Sequence, residues 1–422
     1  YQYNNLMYMT AGYLAGRLAD RSWEELVQHA VFAPLGMKRS NFRIAAMHKD
    51  ADHALAYQLN NERQLVRTET ESPEAIAPAG QINSSVAEMA RYLRMMLNGG
   101  MFEGKRVLLE ADVRAMMQPQ MPVGPDPFSD LFGYRSYGMG LFVQSYRGVE
   151  IAHHGGNLEG ASALLVMVPS KKIGVMVLAN RSHTRLRDAL PYEIIDRLSG
   201  MESAGLLARH REMEEKGFAG EDAAKAAGVT DRKPNTKPAH PLTEYAGEYR
   251  HPGYGPVRIG LEQEQLTLGY NKFSAPLEHW HFESFQTPAD RLNPIELTRV
   301  QFHTDRSGDV TSLAIALEPN VEPIVFAKQP PAEMLERKFL EQLTGEYDSG
   351  GVPVTILLRE DNVLQISALG TTRHLVPVRG TYFRVQELAG TAVEFLRDAS
   401  GRIDRMATYN AGSDNIIAPR KE

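Results

Sequence analysis

Residues 137–180 read YGMGLFVQSYRGVEIAHHGGNLEGASALLVMVPSKKIGVMVLAN, and their texture decides the kind of fold. Short apolar runs alternate with turn signals. Residues 140–146 and 150–153 flank a turn at Arg147-Gly148, and residues 163–168 and 173–178 flank another at Ser170-Lys171-Lys172. Runs of this kind predict two antiparallel hairpins. Between them lies His153-His154-Gly155-Gly156-Asn157-Leu158-Glu159-Gly160. Glycines there let a substrate approach the backbone and free an N–H to face a developing oxyanion. A histidine beside them can donate to a substrate carboxylate. By themselves these residues equally suit a tight turn or half of a metal site. His153 and His154 are adjacent, so a strand turns them to opposite faces, which argues against joint ligation.

Helices surround this block. The chain opens YQYNNLMYMTAGYLAG, where Leu6, Met7, Met9, Tyr13, Leu14 and Leu18 recur near helical spacing. Ser22-Trp23-Glu24-Glu25 reads as a capping box opening a second helix through Val27, Ala30 and Val31, stopped at Pro34-Leu35-Gly36-Met37. Ser85 with Glu88 repeats the signal ahead of Met89, Tyr92, Leu93 and Met96, and Asn98-Gly99-Gly100 ends that helix. Residues 185–198 are helical again. Tyr3 and Asn5 stand at the N-terminal edge of the first helix. The positive end of the helix dipole there favours phenolate, and a nearby ammonium would favour it further. Tyr3 is thus a candidate acceptor for the proton of a hydroxyl nucleophile, although its free pKa is about 10. A buried tyrosine beside a capping asparagine is the plainer reading.

Composition excludes several classes. The chain has 422 residues, 43% hydrophobic and 23% charged, as in globular protein. Net charge is -6 and the pI about 6.2, with no basic stripe, so no nucleic-acid partner is expected. No apolar run approaches the ~18 to 20 residues that span a bilayer. Cysteine is absent, which removes thiol nucleophiles, disulfides and thiolate-bound zinc.

The second half differs. Residues 201–227 are charged and helical in pattern, and DRKPNTKPAHP at 231–241 suits a linker. Beyond it an internal repeat begins. LTEYAGEY at 242–249 matches LEQLTGEY at 340–347, and each copy continues with Pro-Val-x-Ile, at 256–259 and 353–356. That long period predicts a duplicated domain, each copy a small antiparallel barrel or sandwich. The expected division is 1–200, 201–240, 241–332 and 333–422.

Three rival signals stand out. Residues 99–105 fit GxxxxGK, but Arg106 replaces the Ser or Thr that holds Mg²⁺, and a helix rather than a strand precedes the loop. His279 and His281 could share a strand face as metal ligands, with Glu283 the near third candidate. Packed strand histidines are the preferred account, and no metal or other cofactor is expected. Arg185 and Arg187 could clamp a substrate carboxylate, or line a solvated helix face.

Taken in order, these features resemble one family. YQYNNLMYMTAGYLAGRLADRSWEELVQHAVFAPLGM is similar to the segment around the Tyr-x-Asn motif of the serine β-lactamase and penicillin-binding superfamily, in its class C, DD-peptidase and esterase branch. APAGQINSSVAEMARYLRMMLNGG resembles its next helix, and YGMGLFVQ with HHGGNLEGASALLVMVPSKKIGVMVLAN the block carrying its Lys-Thr-Gly or His-x-Gly motif, here His154-Gly155-Gly156. The resemblance covers residues 1 to about 200. PLTEYAGEYRHPGYGPVRIGLEQEQLTL and LEHWHFESF resemble a lipocalin-like domain appended to such proteins. The implied fold is an α+β catalytic domain, antiparallel sheet with flanking helices, followed by two small β-barrels.

By resemblance, a serine attacks an acyl carbon, Tyr3 with a lysine shuttles its proton, and Asn5 bonds the lysine and the substrate amide. The N–H of Asn157 supplies half of the oxyanion hole, at a strand that includes Gly156. Gly155, Arg185 and Arg187 line the substrate. His154 stands where β-lactamases have Lys, which implies activity that varies between about pH 5 and 8. It also tilts the reading toward a peptidase or esterase.

One departure is large: no serine in the 422 residues begins Ser-x-x-Lys. Ser40-Asn-Phe-Arg43 and Ser182-His-Thr-Arg185 come nearest, and arginine cannot accept the proton as lysine can. The expectation is that the nucleophile segment precedes Tyr1, that this chain alone is inactive, and that an N-terminal fragment complements it. The barrels are expected to shape the entrance or mediate a homodimer. The alternative is a pseudoenzyme binding a ligand or partner through its barrels. The resemblance implies a periplasmic or secreted setting, with the cytoplasm also open. A peptide, D-amino acid amide, ester or β-lactam all suit the implied chemistry.

Overall fold

The computed structural model describes residues 1–422 apart from 71–73, 229, 319–320, 389, 411–413 and 422. It divides into two compact units, 1–229 and 230–422.

The first unit is built on a six-stranded antiparallel sheet in sequence order: Met121–Gly124, Arg135–Tyr137, Phe142–Tyr146, Val149–Leu158, Ala161–Val168 and Ile173–Ala179. Both expected hairpins are present. Arg147 and Gly148 have φ of 48° and 81°, the left-handed pair of a type I′ turn, whose twist matches the strands it joins. The histidine strand runs to Leu158, beyond the expected 153, because its far end pairs with Ala161–Val168.

Alternation sends side chains to two cores. Ile151, Leu164, Val166 and Val177 pack with Ala189, Tyr192 and Ile195 of helix Arg185–Leu198. Ala152, Leu165 and Met167 pack with Leu93, Met96 and Leu97 of helix Val86–Leu97. Burial on both faces explains why 163–168 is almost continuously apolar. Asp196, wholly buried, is balanced by the Tyr146 hydroxyl at 2.9 Å, the Ala204 N–H at 3.0 Å and Arg147 at 3.2 Å.

Helix ends refine the sequence reading. The cap of helix Asn5–Leu18 is Asn4, whose Oδ1 accepts from Met7 N at 3.0 Å, so Asn5 is the first helical residue. The Ser22–Glu25 capping box is complete. At Ser85 only half a box forms: Ser85 Oγ accepts from Glu88 N, but the Glu88 carboxylate accepts from Arg39 N, Ser40 N and Ser40 Oγ. A distant loop with several donors outcompetes the local N-cap N–H.

The stretch 201–240 contains helix Leu206–Ala226, which groups with the first unit rather than with a linker. Leu206 is buried among the residues of the Arg185–Leu198 core, and Arg209–Asp130 and Arg63–Asp222 ion pairs tie the helix down at 2.8 and 2.7 Å.

The second unit holds two eight-stranded antiparallel sheets curled into barrels, the first closed and the second joined end to end by a single bridge. The first runs from Gly247–His251 to Ile324–Lys328 and closes through Tyr249↔Lys328. The second runs from Gly345–Ser349 to Ile416–Pro419, with a bridge Tyr347↔Arg420 between its ends. The repeated motifs occupy equivalent places. Tyr249 donates its hydroxyl to Tyr245 O at 2.7 Å, and Tyr347 to Leu343 O at 2.9 Å. Both interiors are filled by side chains: Tyr249, Phe285, Phe302 and Phe326 in one, Tyr347, Phe383, Phe395 and Met406 in the other.

The rival motifs are used internally. Arg106 donates to Gly99 O at 2.8 Å and Leu108 O at 3.0 Å, so a guanidinium fills the GxxxxGK loop. His279 Nε2 lies 2.9 Å from Phe282 O, His281 Nδ1 accepts from Lys233 N, and Glu283 accepts from Ala239 N and the Tyr245 hydroxyl. Among the described residues no helix is long and apolar enough to cross a membrane.

Candidate active site

The strand Val149–Leu158 has two neighbours for only part of its length. Phe142–Tyr146 pairs with it from Val149 to His153, while Ala161–Val168 pairs with it from Ala152 to Leu158. Among the described residues, no strand covers the second edge of 154–158. The direction of the backbone groups follows from the turn. Tyr146 and Val149 flank a two-residue hairpin loop, so they exchange hydrogen bonds, and direction alternates residue by residue from there. Residues 149, 151 and 153 face Phe142–Tyr146. Residues 152, 154, 156 and 158 face Ala161–Val168. The N–H groups of Gly155 and Asn157 therefore point out of the uncovered edge.

Side chains alternate as well. His153 is opposite Val166, on the side of helix Arg185–Leu198; His154 is opposite Leu165, on the other side. Burial pushes the His153 imidazole down to about 4. His154 is also held below its ordinary range by burial, partly offset by its bond to Gly155 O. Both rings are neutral at neutral pH.

His154 sits in an aromatic cluster. Its ring centroid is 6.0 Å from Tyr3, 6.0 Å from Tyr137 and 5.5 Å from Phe142. Tyr3, Tyr8 and Tyr1 each stand edge-on or tilted to Tyr137, at 6.3, 6.3 and 5.4 Å. The structure thus brings Tyr3 and His154 together, across more than a hundred positions of sequence. It reverses one electrostatic expectation. The Tyr3 hydroxyl is shifted up, by burial first and Tyr8 second, away from phenolate.

Asn157 and the glycines are held from behind. Asn157 Oδ1 accepts from His183 N at 3.2 Å and from Ser162 Oγ at 2.9 Å. Ser162 Oγ also lies 2.6 Å from Arg181 O, and Ser182 Oγ accepts from Gly160 N at 2.6 Å. Arg187 donates to Gly156 O at 3.0 Å and pairs with Asp188 at 2.6 Å. Its guanidinium is committed to the strand rather than open to a substrate. A Cβ at Gly155 would lie 3.5 Å from that guanidinium and 3.2 Å from Ala163 O, whereas one at Gly156 would meet only open space. Arg185 is about half exposed and 3.6 Å from Asp188.

Sequence reasoning passed over Tyr8, Tyr137, Phe142, Ser162 and Ser182 as site residues. Tyr137 and Phe142 lie within the YGMGLFVQ block, so its two glycines were a usable signal. The serines carry none, because their partners lie on other segments: Asn157 Oδ1 and Arg181 O for Ser162, Gly160 N and Leu158 O for Ser182.

Comparison with known proteins agrees with this architecture. Residues 1–199 match the family model described as Beta-lactamase, and residues 231–328 match a domain of unknown function, DUF3471. The first unit belongs to the β-lactamase and penicillin-binding protein superfamily, whose members are serine hydrolases. Among curated relatives, the unguisins hydrolase ungD of Aspergillus violaceofuscus is 27% identical over 76% of this chain and 62% of its own. Penicillin-binding protein 4 of Amycolatopsis lactamdurans is 26% identical over 42% of this chain and 47% of its own. The chain thus spans less than two thirds of these relatives. The octameric penicillin-binding protein homologue from Pyrococcus abyssi aligns at a TM-score of 0.45 and 20% identity, over 78% of this chain and 65% of that one.

Proposed function

We propose that residues 1–200 are the later part of a serine hydrolase domain that works through an acyl-serine intermediate, with the Ser-x-x-Lys segment lying outside these 422 residues. The observation that carries this reading is the uncovered edge at 154–158, with the Asn157 N–H turned outward on the same strand as His154, whose ring lies 6.0 Å from that of Tyr3. An outward N–H on a rigid strand costs no reorganisation when an acyl oxygen becomes negative.

In this mechanism the serine hydroxyl attacks the acyl carbon and its proton passes to Tyr3. Tyr3 needs a partner ammonium to lower its pKa, since its own surroundings raise it. Asn5 bonds the lysine and the substrate amide. The carbonyl oxygen takes up charge between the Asn157 N–H and that of the serine. Collapse expels the leaving amine or alkoxide, which takes the proton back, and water then attacks the acyl-serine by the same route. Gly156 leaves room for the substrate, Arg187 and Gly155 fix the strand, and Arg185 is the cation placed to meet a substrate carboxylate. The substrate is a peptide, D-amino acid amide, ester or β-lactam. The relative named as a hydrolase supports the class of reaction. The packed barrel interiors favour this reading over a ligand held inside a barrel.

The test is intact-mass analysis after a fluorophosphonate or penicillin probe, on the protein as encoded in full and on this chain. One adduct, on a Ser-x-x-Lys serine N-terminal to Tyr1, is the expected result. No adduct on the full protein, or an adduct on a serine of these 422 residues, overturns it.

A further inference from the structure

We propose that Tyr137 is a positioning residue for His154: its hydroxyl fixes the neutral imidazole as the tautomer protonated at Nδ1, with Nε2 kept as an acceptor. His154 Nδ1 lies 2.7 Å from Gly155 O. A carbonyl only accepts, so Nδ1 carries the hydrogen. His154 Nε2 lies 3.1 Å from the Tyr137 oxygen. In the neutral ring that nitrogen has a lone pair, so the tyrosine donates to it. Both ring nitrogens are then engaged, and neither offers an N–H to a substrate.

Tyr137 is placed for this by its own chain. It is 7% exposed, and its carbonyl accepts from Gln120 N at 2.9 Å. Gly138 N donates to Leu141 O at 2.7 Å, and a Cβ at Gly138 would fall 2.4 Å from Met116 O, so only glycine permits this turn. Tyr137 pairs with Phe142, which in turn pairs with His153, one residue from its target.

The groups facing His154 are mostly uncharged. Tyr3 faces it from the lead into the first helix, Tyr137 from its own strand, and neutral His153 is its neighbour. Arg135 acts on His153, and Arg187 stands behind Gly155. The Tyr8 ring stands edge-on to that of Tyr137 at 6.3 Å, so the first helix packs against the phenol that bonds His154. Where related enzymes use a charged lysine, this protein presents a neutral acceptor tied to a phenol. A proton arriving at Nε2 reverses the Tyr137 hydrogen bond. The tautomer stands on geometry alone; its part in turnover rests on the hydrolase reading.

The experiment is long-range ¹H–¹⁵N correlation of the histidine rings in this chain above pH 7, with His154 assigned by His154→Gln. The expected spectrum shows Nδ1 protonated and Nε2 unprotonated but shifted by a hydrogen bond. Tyr137→Phe moves the Nε2 resonance and leaves Nδ1 in place. Should that variant fail to fold, 3-fluorotyrosine incorporation strengthens the donor and moves Nε2 the opposite way to its loss. In the protein as encoded in full, Tyr137→Phe lowers kcat several-fold with KM changed less than twofold, and alters the acid limb of the pH profile. A wild-type ring protonated at Nε2, or an Nε2 resonance indifferent to the hydroxyl, overturns the proposal. The correct tautomer together with no serine adduct sinks the hydrolase reading and leaves the Tyr137 assignment intact.

Discussion

The sheet of the first unit and the barrels of the second use the same antiparallel strand to opposite ends. In the first barrel each strand has a neighbour on both sides, and closure through Tyr249↔Lys328 leaves no edge. Its residues that look chemical, His279, His281 and Glu283, are consumed by backbone groups and a tyrosine. In the six-stranded sheet the histidine strand outruns its neighbour by five residues, 154–158. There two backbone N–H groups are left without a ladder partner. A closed ring is stable because nothing is left over; a site needs a group that the fold positions but does not use.

That contrast can be broken most forcefully at Asn157. Proline there removes the outward N–H without breaking a ladder bond to Ala161–Val168, and it also removes the side chain whose Oδ1 accepts from His183 N and Ser162 Oγ, a loss that alanine shares. On the serine hydrolase reading, Asn157→Pro in the protein as encoded in full is expected to lower kcat by about 10² to 10³-fold, while Asn157→Ala, which keeps the N–H, falls far less. Equal losses in the two variants would move the role from the backbone to the side chain.

The next effect compares two turn glycines. Gly160, with φ of 79°, ends the uncovered segment, and a Cβ there would sit 2.2 Å from Ala56 Cβ. Gly255, with φ of 75°, opens a strand of the first barrel with nothing within 4 Å. Gly160→Ala should destabilise the first unit by about 3 kcal/mol, from overpacking plus left-handed strain, and Gly255→Ala its barrel by about 1 kcal/mol, from strain alone. Denaturant unfolding followed by hydrogen exchange in each unit separates the two. Matching losses would mean that the hairpin at Ala56–Leu59 yields freely.

Acid provides a third test. His153 has its pKa depressed from an ordinary 6.5 to about 4 by burial. The unfolded chain therefore binds this proton first as pH falls, and the first unit loses stability between about pH 6.5 and 4. At about 1.4 kcal/mol per pH unit, the loss approaches about 3 kcal/mol. Thermal melts from pH 7.5 to 4 should show this slope, and His153→Leu should flatten it. A slope unchanged in that variant would assign it to His154 or His210, both also lowered by burial.

The smallest effect concerns the two barrels themselves. Tyr249→Phe and Tyr347→Phe each remove a buried hydroxyl bonded to the carbonyl four residues earlier. Each should cost about 1 kcal/mol, and the costs should be alike if the repeat is a true structural duplicate. Hydrogen exchange at the first strand of each barrel reads them separately.

Much of this was legible in the residues. Turn chemistry at Arg147-Gly148 and apolar patterning at 163–168 are local, so the hairpins follow from sequence. The matched Glu-Tyr and Pro-Val-x-Ile motifs announced the duplication, since a repeat needs no knowledge of packing. Tyr3, His154 and Asn157 are singled out as candidates by motif order, and the rings of Tyr3 and His154 lie 6.0 Å apart. Other details were closed to such reading. Glu88 abandoned its local cap for Ser40 because a loop some fifty residues away offered more donors. Helix Leu206–Ala226 has the composition of a solvated linker, yet Leu206 and two ion pairs bind it to the first unit. Arg187 reads as a substrate clamp or a solvated helix face, and its bonds to Gly156 O and Asp188 could not be read from sequence.

The sequence by itself thus determined the residue types at the site, the alternation that separates His153 from His154, and the family those motifs mark. Only the tertiary structure decided which of these groups are left over. The direction of an N–H depends on where a neighbouring strand ends, the pKa of an imidazole on what buries it, and its tautomer on a phenol seventeen positions away. Each of these is set by contacts that no local stretch of chain contains.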